Sequence, residues 1–309
     1  MSADPFSSLL SLVDAHAACA GRFEAGGSWA IAFPRPEKLK FFVMARGACW
    51  LTIDGEKAAV HLREGDVCLL TLRQGFALGS DPLLKPVSAA DLPAANDSSV
   101  LTVGEGSETM LIGGHVALAF GSGRLLLDNL PPVVHLDAGC AQAPALQWLV
   151  RQLVDEYSAK QAGGDFACVA LAQLIFLHIL RAHLERAAQL APSWLRAMSD
   201  ARLVPVLRLM HSEPGRNWRL RELASAAAMS RSAFAARFKT VAGIGPLAYL
   251  TQLRMRLAER WLIEGNLSIT HIARATGFAS DAAFSNAFKR HSGRAPSHYR
   301  SVSRDVAVV

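Results

Sequence analysis

The chain has 309 residues, of which 51% are hydrophobic and 19% charged, and a formal net charge of +6. This length and composition leave room for two domains with proper cores and exclude a disordered chain. The charge is unevenly spread: residues 1–190 carry 14 Lys and Arg against 19 Asp and Glu, a balance of −5, whereas residues 191–309 carry 18 against 7, a balance of +11. Such a split fits a basic carboxy-terminal module for a polyanion beside a mildly acidic module with another task, or a plainly solvated basic surface.

The start, "MSADPFSSLL", lacks the basic flank and long apolar run of a secretory signal. Five cysteines (Cys19, Cys49, Cys68, Cys140, Cys168) are odd in number and widely spaced, with no CxxC pair. Neither a disulfide framework nor a zinc site is indicated, and the expected compartment is the reducing cytoplasm. From residue 28 to 80, short β-rich runs are punctuated by Gly47, Asp54-Gly55 and Glu64-Gly65-Asp66. Asp-Gly after "CWLTI" is a hairpin signal, and the even spacing predicts a small antiparallel barrel or sandwich.

Residues 81–110 turn to Pro, Ser, Ala and Asp and read as a loop or lid over that sheet, after which "TMLIGGHVALAF" reads as a returning strand and "RLLLDNLP" as a short element. Beyond Gln142 the pattern is helical. The run "FACVALAQLIFLHIL" from Phe166 is apolar nearly all round but interrupted by Gln173 and His178. It falls short of the ~20 apolar residues of a membrane span and reads as a buried helix, packed in an intrachain core or on a second subunit.

The last third contains a repeat. Ala224 pairs with Ala273 at an offset of 49, and Phe234, Phe238, Gly243, Pro246 and Tyr249 pair with Phe284, Phe288, Gly293, Pro296 and Tyr299 at an offset of 50. One residue is therefore added in the turn. Each copy reads as a helix, a tight turn and a second helix: Leu220, Leu223, Ala224 and Ala227 line one side of the first helix, Met229-Ser230 form the turn, and Ser230 caps the second helix. In the second copy Ile269, Ile272 and Ala273 play the apolar part, Gly277 ends the helix and Ser280 caps the next. Between the copies, Pro246 to Gly265 predicts a spacer helix that holds the units roughly 25 to 30 Å apart at 1.5 Å per residue. Major-groove faces on one side of B-DNA recur every ~34 Å, so the spacing suits two reading heads on one duplex.

In each second helix the phenylalanines four apart define the inward direction. Ser232 and Ala236 in the first unit, and Ala282 and Asn286 in the second, point the other way, flanked by Ala235, Lys239, Ser285, Lys289 and Arg290. Arg231 and Arg237 lie at the edges of the first face, and Ser230, Ser280 and Asp281 complete the candidate DNA-binding surface. Asn can pair bidentately with adenine and Arg with guanine, whereas Ala reaches only a thymine methyl, so Ala235-Ala236 leave the first head poor in specific hydrogen bonds.

The motifs "LA..A.MS.S.F..RF", "P..YL...R...A...L" and "I..IA...GF.S...F...FKR..G..P..YR", spread over Leu203 to Arg300, resemble the DNA-binding domain of the AraC/XylS family of bacterial transcription regulators. Residues 8–137, through "ARGACWLTIDGE", "HLREGDVCLL" and "LLLDNLPPVVHL", are similar to the cupin-like sensor domain of one subgroup. The resemblance implies an α+β multidomain fold: a small cupin-like β-barrel followed by helices, then an all-α domain with two helix-turn-helix motifs joined by a linker helix. The implied boundaries are 1–140 for the regulatory domain, 141–192 for a helical dimerisation or linker region and 193–309 for the DNA-binding domain.

Metal-dependent cupin enzymes need two imidazoles and a carboxylate converging on one ion, but here Gly47 is followed by "ACWLTIDGEKAAVHLREG", with His61 as the only histidine. No catalytic residue, metal or cofactor is therefore expected, and the chain is not expected to be an enzyme. The resemblance implies a transcription regulator, more commonly an activator, with promoter DNA, RNA polymerase and a second copy of the chain as partners and no membrane. Its amino-terminal domain would bind a small effector, respond to oxidation, or serve as a dimerisation scaffold; an enzyme carrying a DNA-binding appendage is the remaining class. Cys19 sits where some members of the subgroup carry a redox-responsive thiol, while Gly113-Gly114 stand where the partner cysteine would be. Cys49 and Cys68 read as small core residues.

Overall fold

The computed structural model describes residues 4–71, 74–92, 100–118, 123–127, 129–137, 139–140, 142–159, 161–186 and 191–306. They fall into two compact units, one of residues 16–117 with 130–183, the other of residues 1–15, 118–129 and 184–309.

The first unit contains strands β1 (His16–Gly26), β2 (Ala30–Phe33), β3 (Leu39–Arg46), β4 (Ala48–Ile53), β5 (Val60–Arg63), β6 (Val67–Leu70), β7 (Phe76–Gly79), β8 (Val87–Ser88), β9 (Val100–Gly104), β10 (Thr109–Ala117) and β11 (Val133–Leu136). Six form one sheet in the order β11-β6-β3-β10-β1-β9 and five form another, β5-β4-β7-β2-β8. Phe23, Phe42, Met44, Cys68 and Leu70 of the first sheet pack with Ile31, Cys49, Leu51, Leu62 and Phe76 of the second in one core. The two sheets thus form a sandwich, and the barrel suggested by the even strand spacing does not close. Two of its edge strands are short, β8 with two residues and β9 with five. Gly47, at φ 76°, makes the tight β3–β4 turn, where a Cβ would stand 2.2 Å from the Glu108 carbonyl oxygen.

The stretch expected to be a loop over 81–110 contributes β8 and β9, and β9 lies parallel to β1. Strand β1 itself, "HAACAGRFEAG", sits between β10 and β9 although its Ala and Gly content gives little local strand signal.

Helices α3 (Ala143–Ala159) and α4 (Gly164–Glu185) belong to the same unit. Gln173 of α4 accepts a hydrogen bond from the Ala17 backbone N–H at 2.8 Å, and Cys168, Ala172, Ile175, Phe176, Ile179 and Leu180 are buried. The helix runs 22 residues with a mean hydropathy of 1.7 over its most apolar window, which is long and apolar enough to cross a membrane, although 44% of that window is buried in the protein. The uninterrupted apolar run in the sequence is shorter than the helix it seeds. Phe166, Val169 and Leu174 of α4, with Trp148 of α3, remain exposed.

The second unit opens with α1 (Pro5–Val13), an element that the hydrophobic pattern does not announce. Asp4 caps it by accepting from the Phe6 and Ser7 N–H groups, and Pro5 occupies the first turn. Its buried Leu9, Leu12 and Val13 contribute to a helical body made with α2 (Gly123–Leu127), α5 (Trp194–Met198), α6 (Val204–Ser212), α7 (Leu220–Ala226), α8 (Arg231–Ala242), α9 (Pro246–Glu264), α10 (Ile269–Ala275), α11 (Asp281–Ser292) and α12 (Pro296–Val306). Helix α1 packs against α6 and α9, and Arg260 of α9 donates to the Ser11 carbonyl at 2.8 Å. The sequence boundaries at 140 and 192 differ from these compact units, since residues 1–15 and 118–129 cluster with the helical unit and 141–183 with the sheets.

Candidate nucleic-acid interface

The repeat recurs in the backbone hydrogen bonds of the two heads. In the first head, Met229 N–H bonds the Ala224 carbonyl at 3.0 Å; in the second, Phe278 N–H bonds the Ala273 carbonyl at 2.9 Å. Ser230 accepts from the Ala233 N–H at 3.3 Å and Ser280 from the Ala283 N–H at 3.2 Å, so each hydroxyl caps its helix as the sequence predicts. Both second helices, α8 and α11, end on a left-handed glycine, Gly243 at φ 79° and Gly293 at φ 76°. The added residue is Ala279, lying between the shared turn bond at Phe278 and the shared cap at Ser280. The left-handed turn residue is Ala228 at φ 52° in the first head, one position before the expected Met229-Ser230, and Gly277 at φ 78° in the second.

Burial follows the same repeat. Phe234 and Phe238, like Phe284 and Phe288, are fully buried, joined by Tyr249 and Tyr299 through edge-on ring contacts. On the opposite side Ser230, Arg231, Ser232, Ala236, Arg237 and Lys239 are exposed in α8, as are Ser280, Asp281, Ala282, Asn286, Lys289 and Arg290 in α11; Ala235 and Ser285 are half-buried. Asn286, Lys289, Arg290 and Gly293 line one open depression on the second head.

Two candidates are engaged within the protein. Arg237 forms an ion pair with Asp200, at 2.7 Å from Nη2 and 3.0 Å from Nε, which directs its guanidinium toward the α5–α6 junction. Asp281 accepts from the Thr270 hydroxyl at 2.6 Å and so ties α10 to the first turn of α11, where a carboxylate also suits the helix dipole. Asp200 lies 37 residues from Arg237, so no local pattern points to it.

The heads are joined by α9, 19 residues long and about 28 Å at 1.5 Å per residue. Arg254, in mid-helix, donates from Nε to the Pro214 carbonyl at 2.7 Å and from Nη2 to the Arg216 carbonyl at 2.8 Å. That loop approaches the second head so closely that a Cβ on Gly277 would lie 2.5 Å from the Gly215 carbonyl oxygen. Arg254 is the arginine of the "P..YL...R" motif, but no local pattern names the two carbonyls it meets. Burial lowers the pKa of His211 to about 4, and its Nε2 lies 2.7 Å from the Tyr249 hydroxyl. His291 is likewise lowered to about 4, first by burial and then by Arg256.

In the sheet unit, Cys49 and Cys68 are buried in the core as expected. Cys19 faces α4, its Sγ 3.8 Å from the Cys168 carbonyl oxygen, and burial, reinforced by the Cys168 thiol, pushes its pKa up to about 12. A thiol held so fully protonated is a weak nucleophile. His61 stacks on Trp50 with ring centroids 4.4 Å apart and accepts from Arg63 Nε at 3.3 Å. Among the described residues no three His, Cys, Asp or Glu side chains form a metal-binding group.

Residues 4–185 match the cupin family, and residues 223–301 match a helix-turn-helix domain. Over 297 residues the chain is 40% identical to an AraC-like transcription regulator of Streptomyces antibioticus, covering 96% of this chain and 98% of that one. It is 29% identical over 290 residues to the HTH-type transcriptional regulator AlkR of Acinetobacter baylyi, covering 90% and 92%. Among solved structures it is similar to the DNA-binding domain of AdpA in complex with a target DNA, at 31% identity over 32% of this chain and 90% of that one, with a TM-score of 0.31.

Proposed function

Because the chain belongs to the AraC-like transcription regulators, we propose that it reads promoter DNA with α8 and α11 together and that its cupin unit sets how tightly it does so. The observation that carries this reading is the matched pair of helices: each buries two phenylalanines and turns a polar, basic face outward, with Lys239 and Lys289 in corresponding places. Asn286 and Arg290 supply base recognition in the second head. Arg231 and Lys239 supply phosphate contacts in the first, whose Ala235 and Ala236 offer only apolar contact.

The remaining roles belong to the same proposal. The protein acts in the cytoplasm, without catalytic activity, activating transcription through RNA polymerase. The division 1–140, 141–192 and 193–309 describes sensing, pairing and reading. Pairing with a second copy is supported by the exposed Phe166 and Leu174 on α4; run antiparallel against its own copy, that helix brings Asp165 of one chain toward Arg181 of the other. Cys19 as an oxidant sensor is the weaker reading, given its protonated thiol.

The test is selection of bound duplexes from a random library with the full-length protein, under reducing and oxidising conditions. Enrichment of one defined sequence is the expected result. Equal retention of all sequences would reduce the basic surface to a non-specific one.

A further inference from the structure

The inner face of a sheet sandwich is normally closed by apolar side chains. Here one end of the six-stranded sheet departs from that rule. Ala18, His115, Lys40, Leu70 and Val133 stand opposite one another on β1, β10, β3, β6 and β11. By strand alternation this row shares its face with Phe42, Met44, Leu111 and Cys68, which build the inter-sheet core. The row is nonetheless half-buried at Ala18, His115, Lys40 and Val133, and Gly113, the next inward position on β10, is half-buried too. A Cβ on Gly113 would meet the Phe42 ring only at 3.7 Å, ordinary contact distance, so the glycine leaves room that a side chain could fill. The sandwich is open here, and water reaches its inner wall.

The polar groups at this inlet are of one sign. Lys40 and His115 are direct cross-strand partners, which places their Cβ atoms about 4.5–5.5 Å apart. Lys38 is close enough to act on the same imidazole. Burial lowers the pKa of Lys40, and burial followed by Lys38 and Lys40 lowers that of His115. Among the described residues no carboxylate forms an ion pair with any of the three. A partly desolvated ammonium with no counter-charge is costly, and an incoming anion removes that cost.

We infer that this inlet binds a small organic carboxylate, its charge met by Lys40 and His115 and its apolar body lying over Gly113 and Ala18. One ammonium and one imidazole on an apolar wall suit a single negative charge with a hydrocarbon body; a phosphate dianion calls for an arginine fork or a nest of backbone N–H groups. The inference rests on the reading of the cupin unit as a sensor and names the chemistry it senses.

The experiment follows thermal unfolding of the full-length protein with sodium octanoate, sodium benzoate, octan-1-ol or inorganic phosphate, alongside binding of its selected duplex. At least one carboxylate is expected to raise the melting temperature by several degrees while octanol and phosphate do not, and Lys40→Met is expected to weaken that carboxylate at least tenfold with its unliganded melting temperature kept. Should Lys40→Met not fold, His115→Asn is read in the same way. No shift with either carboxylate, or an equal shift in wild type and variant, overturns the inference. A Lys40-dependent carboxylate that leaves DNA affinity unchanged upholds the inlet and removes the sensor reading instead.

Discussion

Ala228 and Gly277 occupy the same point in the two heads, both with left-handed backbone, at φ 52° and φ 78°. Only one of them is the residue type that takes this conformation freely. Ala228→Gly is therefore expected to stabilise the helical unit by about 1 kcal/mol, and Gly277→Ala to destabilise it by more than that, because the added methyl also meets the Gly215 carbonyl at 2.5 Å. Urea unfolding followed on the helical signal checks both; a destabilised Ala228→Gly would show that the turn carries no strain.

The two recognition faces should fail differently. Asn286→Ala is expected to weaken binding to the selected site by about 1–3 kcal/mol and to relax one base position. Lys239→Ala should weaken all duplexes alike and reduce the salt slope by about one. Anisotropy titrations on cognate and scrambled duplexes at several salt concentrations distinguish the two, and equal losses on both duplexes for both variants would refute the assignment of faces.

The Asp200–Arg237 pair holds a guanidinium that would otherwise be free at the edge of the first head. Asp200→Asn is expected to tighten DNA binding several-fold and to steepen its salt dependence. The stability cost should be about 1 kcal/mol, since Arg237 is exposed while the nearly buried Asp200 also accepts from the Arg202 and Leu203 N–H groups, which an Asn can still satisfy. Unchanged affinity would mean that Arg237 faces away from the nucleic acid even when released.

His211 and His291 link stability to pH. Each is held near 4 in the folded protein against an ordinary 6.5, so between those values the unfolded chain binds more protons than the folded one. Their contribution to the stability of the helical unit should be complete above pH 6.5, be lost as the pH falls toward 4, and change no further below. His211→Gln, which can keep a hydrogen bond to Tyr249, should flatten part of that slope. A slope unchanged in the variant would show that other groups carry it.

The heads were legible in the sequence because their instructions are local: serine caps, glycine stops and phenylalanines four apart each act within one or two turns of chain. The turn was misplaced by one residue because an alanine does the work of a glycine at position 228. The sheet unit was less legible. Strand β1, with Ala17, Ala18, Gly21 and Ala25, is a strand because β10 and β9 flank it, and its propensity says nothing of that. At α1 the capping signal is the single pair Asp4-Pro5, with only a short apolar pattern behind it. The contacts of Asp200 and Arg254 are not visible in sequence, for their partners lie 37 and 38–40 residues away.

The two second helices share a frame and differ at several places on its outer face: Arg231 stands where the other has Asp281, Ala236 where it has Asn286, Thr240 where it has Arg290. A pair of identical heads could not tell one half-site from the other. Unlike heads in a fixed order give the bound chain a polarity, so that a single molecule on its promoter distinguishes upstream from downstream before any other protein arrives.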